Sequence, residues 1–139
     1  MENKKEINAA IIIIGNEVLS GRTKDLNTST ISIWLNSLGI FVKEVRIIPD
    51  VEKTIIDNVN ELRNKFNYVF TTGGIGPTHD DITAESVSKA FNLEYGFHNE
   101  AFSILEKYYD PGEFNEGRQK MAKMPTTANL ILNPTSGAP

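Results

Sequence analysis

Gly73, Gly74 and Gly76 stand within four positions of one another, and the carboxylates of Asp80 and Asp81 follow them directly, in the run TTGGIGPTHDDIT at Thr71 to Thr83. Glycines so closely spaced leave the backbone free of Cβ atoms and open to positive φ, so several N–H groups can turn toward one bound anion. A lone GGxG run is as often an ordinary connection as a binding loop. The two aspartates weigh against the ordinary reading, because carboxylates beside an anion cradle would repel a phosphate unless a divalent metal or a reacting centre lay between them. Two familiar loops are excluded. No Gly-Lys-Ser/Thr follows, as a Walker A loop requires, and the GxGxxG spacing of the dinucleotide fold is missing.

The elements that must hold this loop are legible on both sides. Tyr68, Val69 and Phe70 form an uncharged run that predicts a strand covered on both faces. Thr83 stands where an N-cap would, ahead of a helix carrying Val87, Ala90 and Phe91. Upstream, Ala9 to Ile14 reads as a central parallel strand, and Asn27 or Thr28 as the cap of a helix to Leu38 with Ile31, Trp34, Leu35 and Leu38 inward. Ile40 to Ile48, with charges at Lys43, Glu44 and Arg46, predicts a strand nearer the sheet edge. Asp50 precedes the helical pattern Val51, Ile55, Val59 and Leu62, so its plainest role is an N-cap.

Downstream, Leu93 to Phe97 fits a short strand or connection, and a helix carries Phe102, Leu105 and Tyr109. His98 reads as a loop histidine, since no second ligand stands at metal spacing. Glu116 to Lys123 predicts a helix bearing Arg118, Lys120 and Lys123, a basic cluster that is either a solvated face or a phosphate contact. Leu130 to Leu132 reads as another strand. Alternating strands and helices give a parallel α/β sheet with helices on both faces.

Composition narrows the function classes. A chain of 139 residues with 40% hydrophobic content suits one domain. With 14 basic against 18 acidic residues it has no general attraction to nucleic acid or an acidic membrane. Absence of cysteine removes disulfides and thiolate-bound zinc. The apolar start is far shorter than the ~18 residues of a membrane span, so the expectation is a cytoplasmic protein.

The same residues resemble the molybdopterin-binding domain of MoaB/Mog type, and within it the CinA-like (competence/damage-inducible) subgroup. TTGGIGPTHDDIT is the most specific part, supported by IIIIGNEVLSG at Ile11 to Gly21, RIIPD at Arg46 to Asp50, QKMAKMP at Gln119 to Pro125 and NPTSGAP at Asn133 to Pro139. The resemblance implies a three-layer α/β/α domain with a mostly parallel sheet, which self-associates and binds phosphate-bearing pterins or nucleotides. It assigns Gly73, Gly74 and Gly76 to the ligand loop, with Thr72, Thr78 and Thr83 of the same stretch as further phosphate contacts. Asp50 and Asp81 match the positions linked to catalysis in the adenylyltransferases, and together with Asp80 they form the expected set for magnesium or a similar divalent metal.

For CinA-like proteins the implied activity is metal-dependent hydrolysis of ADP-ribose-type pyrophosphates. The alternatives are molybdopterin binding or adenylylation, and a non-catalytic interaction domain. The amidohydrolase domain of longer CinA proteins has no counterpart in this sequence, and the family pattern continues beyond SGAP, so the expectation is a single domain shortened at its C-terminus.

Overall fold

A computed structural model describes residues 5–139, and the chain divides between Gly73 and Gly74 into two compact units. In the first, strand β1 (Ile7–Ile14) is followed by a single helical turn α1 (Asn16–Leu19), helix α2 (Asn27–Ser37), strand β2 (Ile40–Ile48), helix α3 (Glu52–Lys65) and strand β3 (Tyr68–Thr72). Parallel pairing gives the order β2-β1-β3. The uninterrupted apolar run thus takes the centre, where both faces are covered, and every residue from Ala9 to Ile14 is at most 3% exposed. Helix α3 adds Ile55, Val59 and Leu62, spaced along one face, to the same core.

Four local expectations change. β3 is an outer strand among the described residues and Tyr68 is half exposed, because an apolar run of three residues cannot by itself tell a central strand from an edge one. Trp34 is 57% exposed, and only Leu35 of α2 is fully inward. The N-cap of α2 is Leu26, and the carboxylate of Asp25 just before it accepts from the N–H groups of Asn27 and Thr28 and from the Thr28 hydroxyl. Asp50 does not cap α3, whose N-cap is Val51 with no side-chain bond.

The charges expected to mark an edge on β2 have a defined use. Arg46 bridges Glu44 at 2.6 Å and grips Glu61 of α3 with both terminal nitrogens at 2.8 Å. Hydrogen bonds from Arg46 and Lys65 draw the Glu61 carboxyl down to about 2.

The second unit holds helix α4 (Thr83–Ala90), strand β4 (Tyr95–Phe97), helix α5 (Asn99–Tyr108), helix α6 (Glu116–Lys120) and strand β5 (Lys123–Pro125). β4 and β5 pair antiparallel, and Ala101, Leu105 and Ala122 form a core surrounded by Phe102, Tyr109, Phe114, Met121 and Met124. His98 is no loop bystander: its Nδ1 accepts from Ala101 N–H as the N-cap of α5, and its Nε2 meets the Ala128 carbonyl at 3.0 Å.

The α6 helix stops at Lys120, which leaves Lys123 in β5. No strand forms at Leu130 to Leu132. Ile131 and Leu132 are 87% and 70% exposed, so the apolar triplet has no strand partner to bury it.

Candidate functional site

At the carboxyl ends of the first unit's strands three backbone segments converge. Gly15 N–H donates to Ile48 O at 3.0 Å, and Asn16 N–H, the first of α1, donates to Asp50 Oδ2 at 2.9 Å. Gly73 lies so close that a Cβ there would sit 2.0 Å from the Ile14 carbonyl oxygen, and its φ of 91° is one that only glycine adopts freely. Gly73 is thus required for packing as much as for any ligand. Thr72 is the last residue of β3, in register with Ile13.

In the second unit the loop from Gly74 to Ile82 is built around one carboxylate. Asp81 Oδ2 accepts from Thr78 N–H at 2.9 Å and from the Thr78 hydroxyl at 2.7 Å, and the Gly76 N–H also binds this carboxylate. A Cβ on Gly76 would lie 2.8 Å from the same oxygen. Across from it, the Lys120 ammonium donates to Asp81 O at 2.8 Å and to Thr78 O. Burial pushes the Asp81 carboxyl up, but the Thr78 hydroxyl, the Thr78 and Gly76 N–H groups and the Lys120 charge together outweigh it, and the net shift is downward. Asp81 is ionised at neutral pH.

The loop borders a cavity of about 400 Å³ whose walls include Gly74, Gly76, Asp81, Tyr95, Lys120 and Lys123. Met121, Met124, Asn133 and Ser136 complete much of the lining. Among the described residues, the charged side chains of the lining are Asp81, Lys120 and Lys123.

Of the residues singled out from sequence, Gly74, Gly76 and Asp81 reach this cavity. Thr78 serves the Asp81 carboxylate. Thr83 is 2% exposed as the first residue of α4, where its N–H donates to Gly74 O, and Ile82 takes the N-cap position instead. Asp80 is 78% exposed and faces His79 Nε2 at 3.0 Å. Asp50, Thr72 and Gly73 belong to the first unit.

Among the described residues no group of three or more histidine, aspartate or glutamate side chains is placed to share an ion, and Asp81 Oδ2 takes both Thr78 donors. Tyr95, Met121 and Met124 were not legible as lining residues, since nothing in their spacing distinguishes them from core. Lys120 and Lys123 were legible as part of a basic cluster, with a phosphate contact as one of its two readings.

The family model for a probable molybdopterin binding domain matches residues 10–136. The chain belongs to that family. Within it, the CinA-like branch is indicated by the crystal structure of a CinA protein of unknown function from Thermoplasma acidophilum, 32% identical with a TM-score of 0.88, over 95% of this chain and 78% of that one. The tungsten cofactor synthesizing protein MoaB from Pyrococcus furiosus is 26% identical with a TM-score of 0.58, over 75% of this chain and 65% of that one.

Among sequence relatives, a protein of Pyrobaculum calidifontis is 40% identical over 133 residues, 94% of this chain and 51% of its own length. One of Sulfurisphaera tokodaii is 40% identical over 134 residues, again 94% of this chain and 51% of its own. The chain spans about half the length of the curated relatives it matches. The matched range, residues 10–136, includes the glycine loop and most of the residues that line the cavity.

Proposed function

We propose that the cavity of the second unit binds a small phosphate-bearing ligand, a pterin such as molybdopterin or a nucleotide. The observation that carries this reading is the loop itself: a glycine-rich backbone whose position is set by the Asp81 and Thr78 bonds, bordering a cavity with two lysines in its wall. Phosphate oxygens accept hydrogen bonds from main-chain N–H groups and from ammonium, and a ring system suits the apolar stretch around Tyr95, Met121 and Met124. The family's pterin chemistry supports the same class of occupant.

A second reading, hydrolysis of an ADP-ribose-like pyrophosphate, is favoured by the likeness to CinA and by the ionised carboxylate of Asp81 in the cavity wall. Calorimetric titration with molybdopterin, ADP-ribose and AMP, followed by product analysis with and without magnesium, separates the two. Saturable binding with intact ligand supports the first reading, release of AMP and ribose phosphate supports the second, and absence of binding by all ligands removes both.

A further inference from the structure

An aspartate pair beside an anion cradle calls for a positive charge, and divalent metal is the obvious supplier. The geometry points to a different one: we infer that Lys120, with Lys123, neutralises the ligand's phosphate, so that binding in this cavity needs no divalent metal. This rests on the phosphate-ligand reading above and specifies how that ligand is held.

Three observations carry it. First, the conflict is smaller than the sequence implies. Asp80 is 78% exposed and faces His79, and it is not part of the cavity wall, so of the two aspartates Asp81 alone lines the cavity. Second, one oxygen of that carboxylate is already engaged. Its Oδ2 takes the N–H and hydroxyl of Thr78, the Gly76 N–H also binds the group, and these bonds keep it anionic without a metal.

Third, the positive charge is already in place and oriented. The Lys120 ammonium is fixed by the main-chain oxygens of Thr78 and Asp81. An ammonium has three donors, and these two carbonyls use two of them, which leaves one for a ligand oxygen. Lys123, held with its ammonium 4.9 Å from the centre of the Phe97 ring, adds a second cation to the wall. Anchoring by carbonyls also lowers the cost of binding, since Lys120 is ordered before the ligand arrives.

The test is calorimetry with ADP-ribose as probe on wild-type chain, in EDTA and again in magnesium. Expected is an affinity that agrees within about threefold between the two, and that falls as salt rises, as charge neutralisation by partly exposed ammonium groups requires. Lys120→Gln, which keeps the donor to the loop carbonyls but not the charge, is expected to lose about tenfold or more, and Lys123→Gln less.

Binding seen only with magnesium overturns the inference, and so does wild-type affinity in both lysine variants. Failure of ADP-ribose, molybdopterin and AMP alike in both buffers instead defeats the underlying ligand reading. The wild-type chelator comparison decides the matter even where Lys120→Gln perturbs the loop.

Discussion

Asp50 Oδ2 accepts from the Asn16 N–H at 2.9 Å, joining the chain just beyond β2 to the first turn of α1 across 34 residues of sequence. The carboxylate therefore does for a neighbouring helical turn what it was expected to do for its own. Asp50→Ala leaves that N–H without its partner at a partly exposed site, and the expected loss is about 1 kcal/mol, within the range of cap deletions. Asp50→Asn retains an acceptor oxygen and is expected to stay within about 0.5 kcal/mol of wild type. Urea denaturation of both variants checks the pattern. Equal losses in the two would show that charge, and not acceptance from Asn16, is what the position supplies.

Gly73 and Gly74 sit side by side with positive φ of 91° and 65°, yet substitution should harm different properties. At Gly73 the added Cβ meets Ile14 O, so Gly73→Ala should cost well over about 1 kcal/mol of stability. Gly74 lines the cavity, and Gly74→Val places a branched side chain where backbone must approach ligand. The expectation there is ligand affinity reduced about tenfold or more in a protein that still folds. Thermal melts alongside calorimetry resolve the two effects, and a Gly74→Val protein with wild-type affinity would refute the cradle.

Ile13 is 3% exposed in the central strand, in register with Ile47 of β2 and Thr72 of β3. Ile13→Asp buries a carboxylate with no partner, at a cost of several kcal/mol against a total stability of about 5–15 kcal/mol for a domain. The variant is expected to be unfolded by circular dichroism, whereas Ile13→Val should lose only about 0.5–1.5 kcal/mol.

The parts of the fold that were legible are those in which one physical requirement dominates. AAIIII is apolar without alternation and rich in β-branched residues, which suits a strand covered on both faces better than a short helix, and Ile40 to Ile48 carries the charges of an edge strand. The helix ends were less legible, because a cap is chosen by tertiary geometry: Asp25 reaches α2 from two residues upstream, and His98 caps α5 although histidine is not a favoured cap. Leu130 to Leu132 has strand composition but no strand beside it, and composition cannot report a missing neighbour. The site was half legible for the same reason. The glycines and Asp81 announce themselves in one short run, whereas Lys120 lies 39 residues further on and becomes part of the site only through its bonds to the loop carbonyls.

Asp81 offers the sharpest separation between binding and catalysis. Its carboxyl is held below the ordinary range, so its contribution to stability is complete above the unfolded value near 4 and is lost as pH falls through the lowered folded value. Wild type should therefore lose melting temperature in that acid window, and Asp81→Asn should lose less, since its amide has no proton to gain. At neutral pH the amide oxygen still accepts from Thr78, and the variant should melt within a few degrees of wild type.

Removing the charge also makes the cavity wall more positive, because Lys120 and Lys123 are then the charged side chains left among its described residues. Phosphate-ligand affinity should then hold or rise. If the chain hydrolyses an ADP-ribose-like pyrophosphate with Asp81 at the reacting centre, turnover should instead fall by about a hundredfold or more. Calorimetry and steady-state hydrolysis on the same preparation of Asp81→Asn read both quantities. Tighter binding with lost turnover assigns Asp81 to the chemistry, and weaker binding in a folded variant would show that the carboxylate holds the loop for the ligand through its charge.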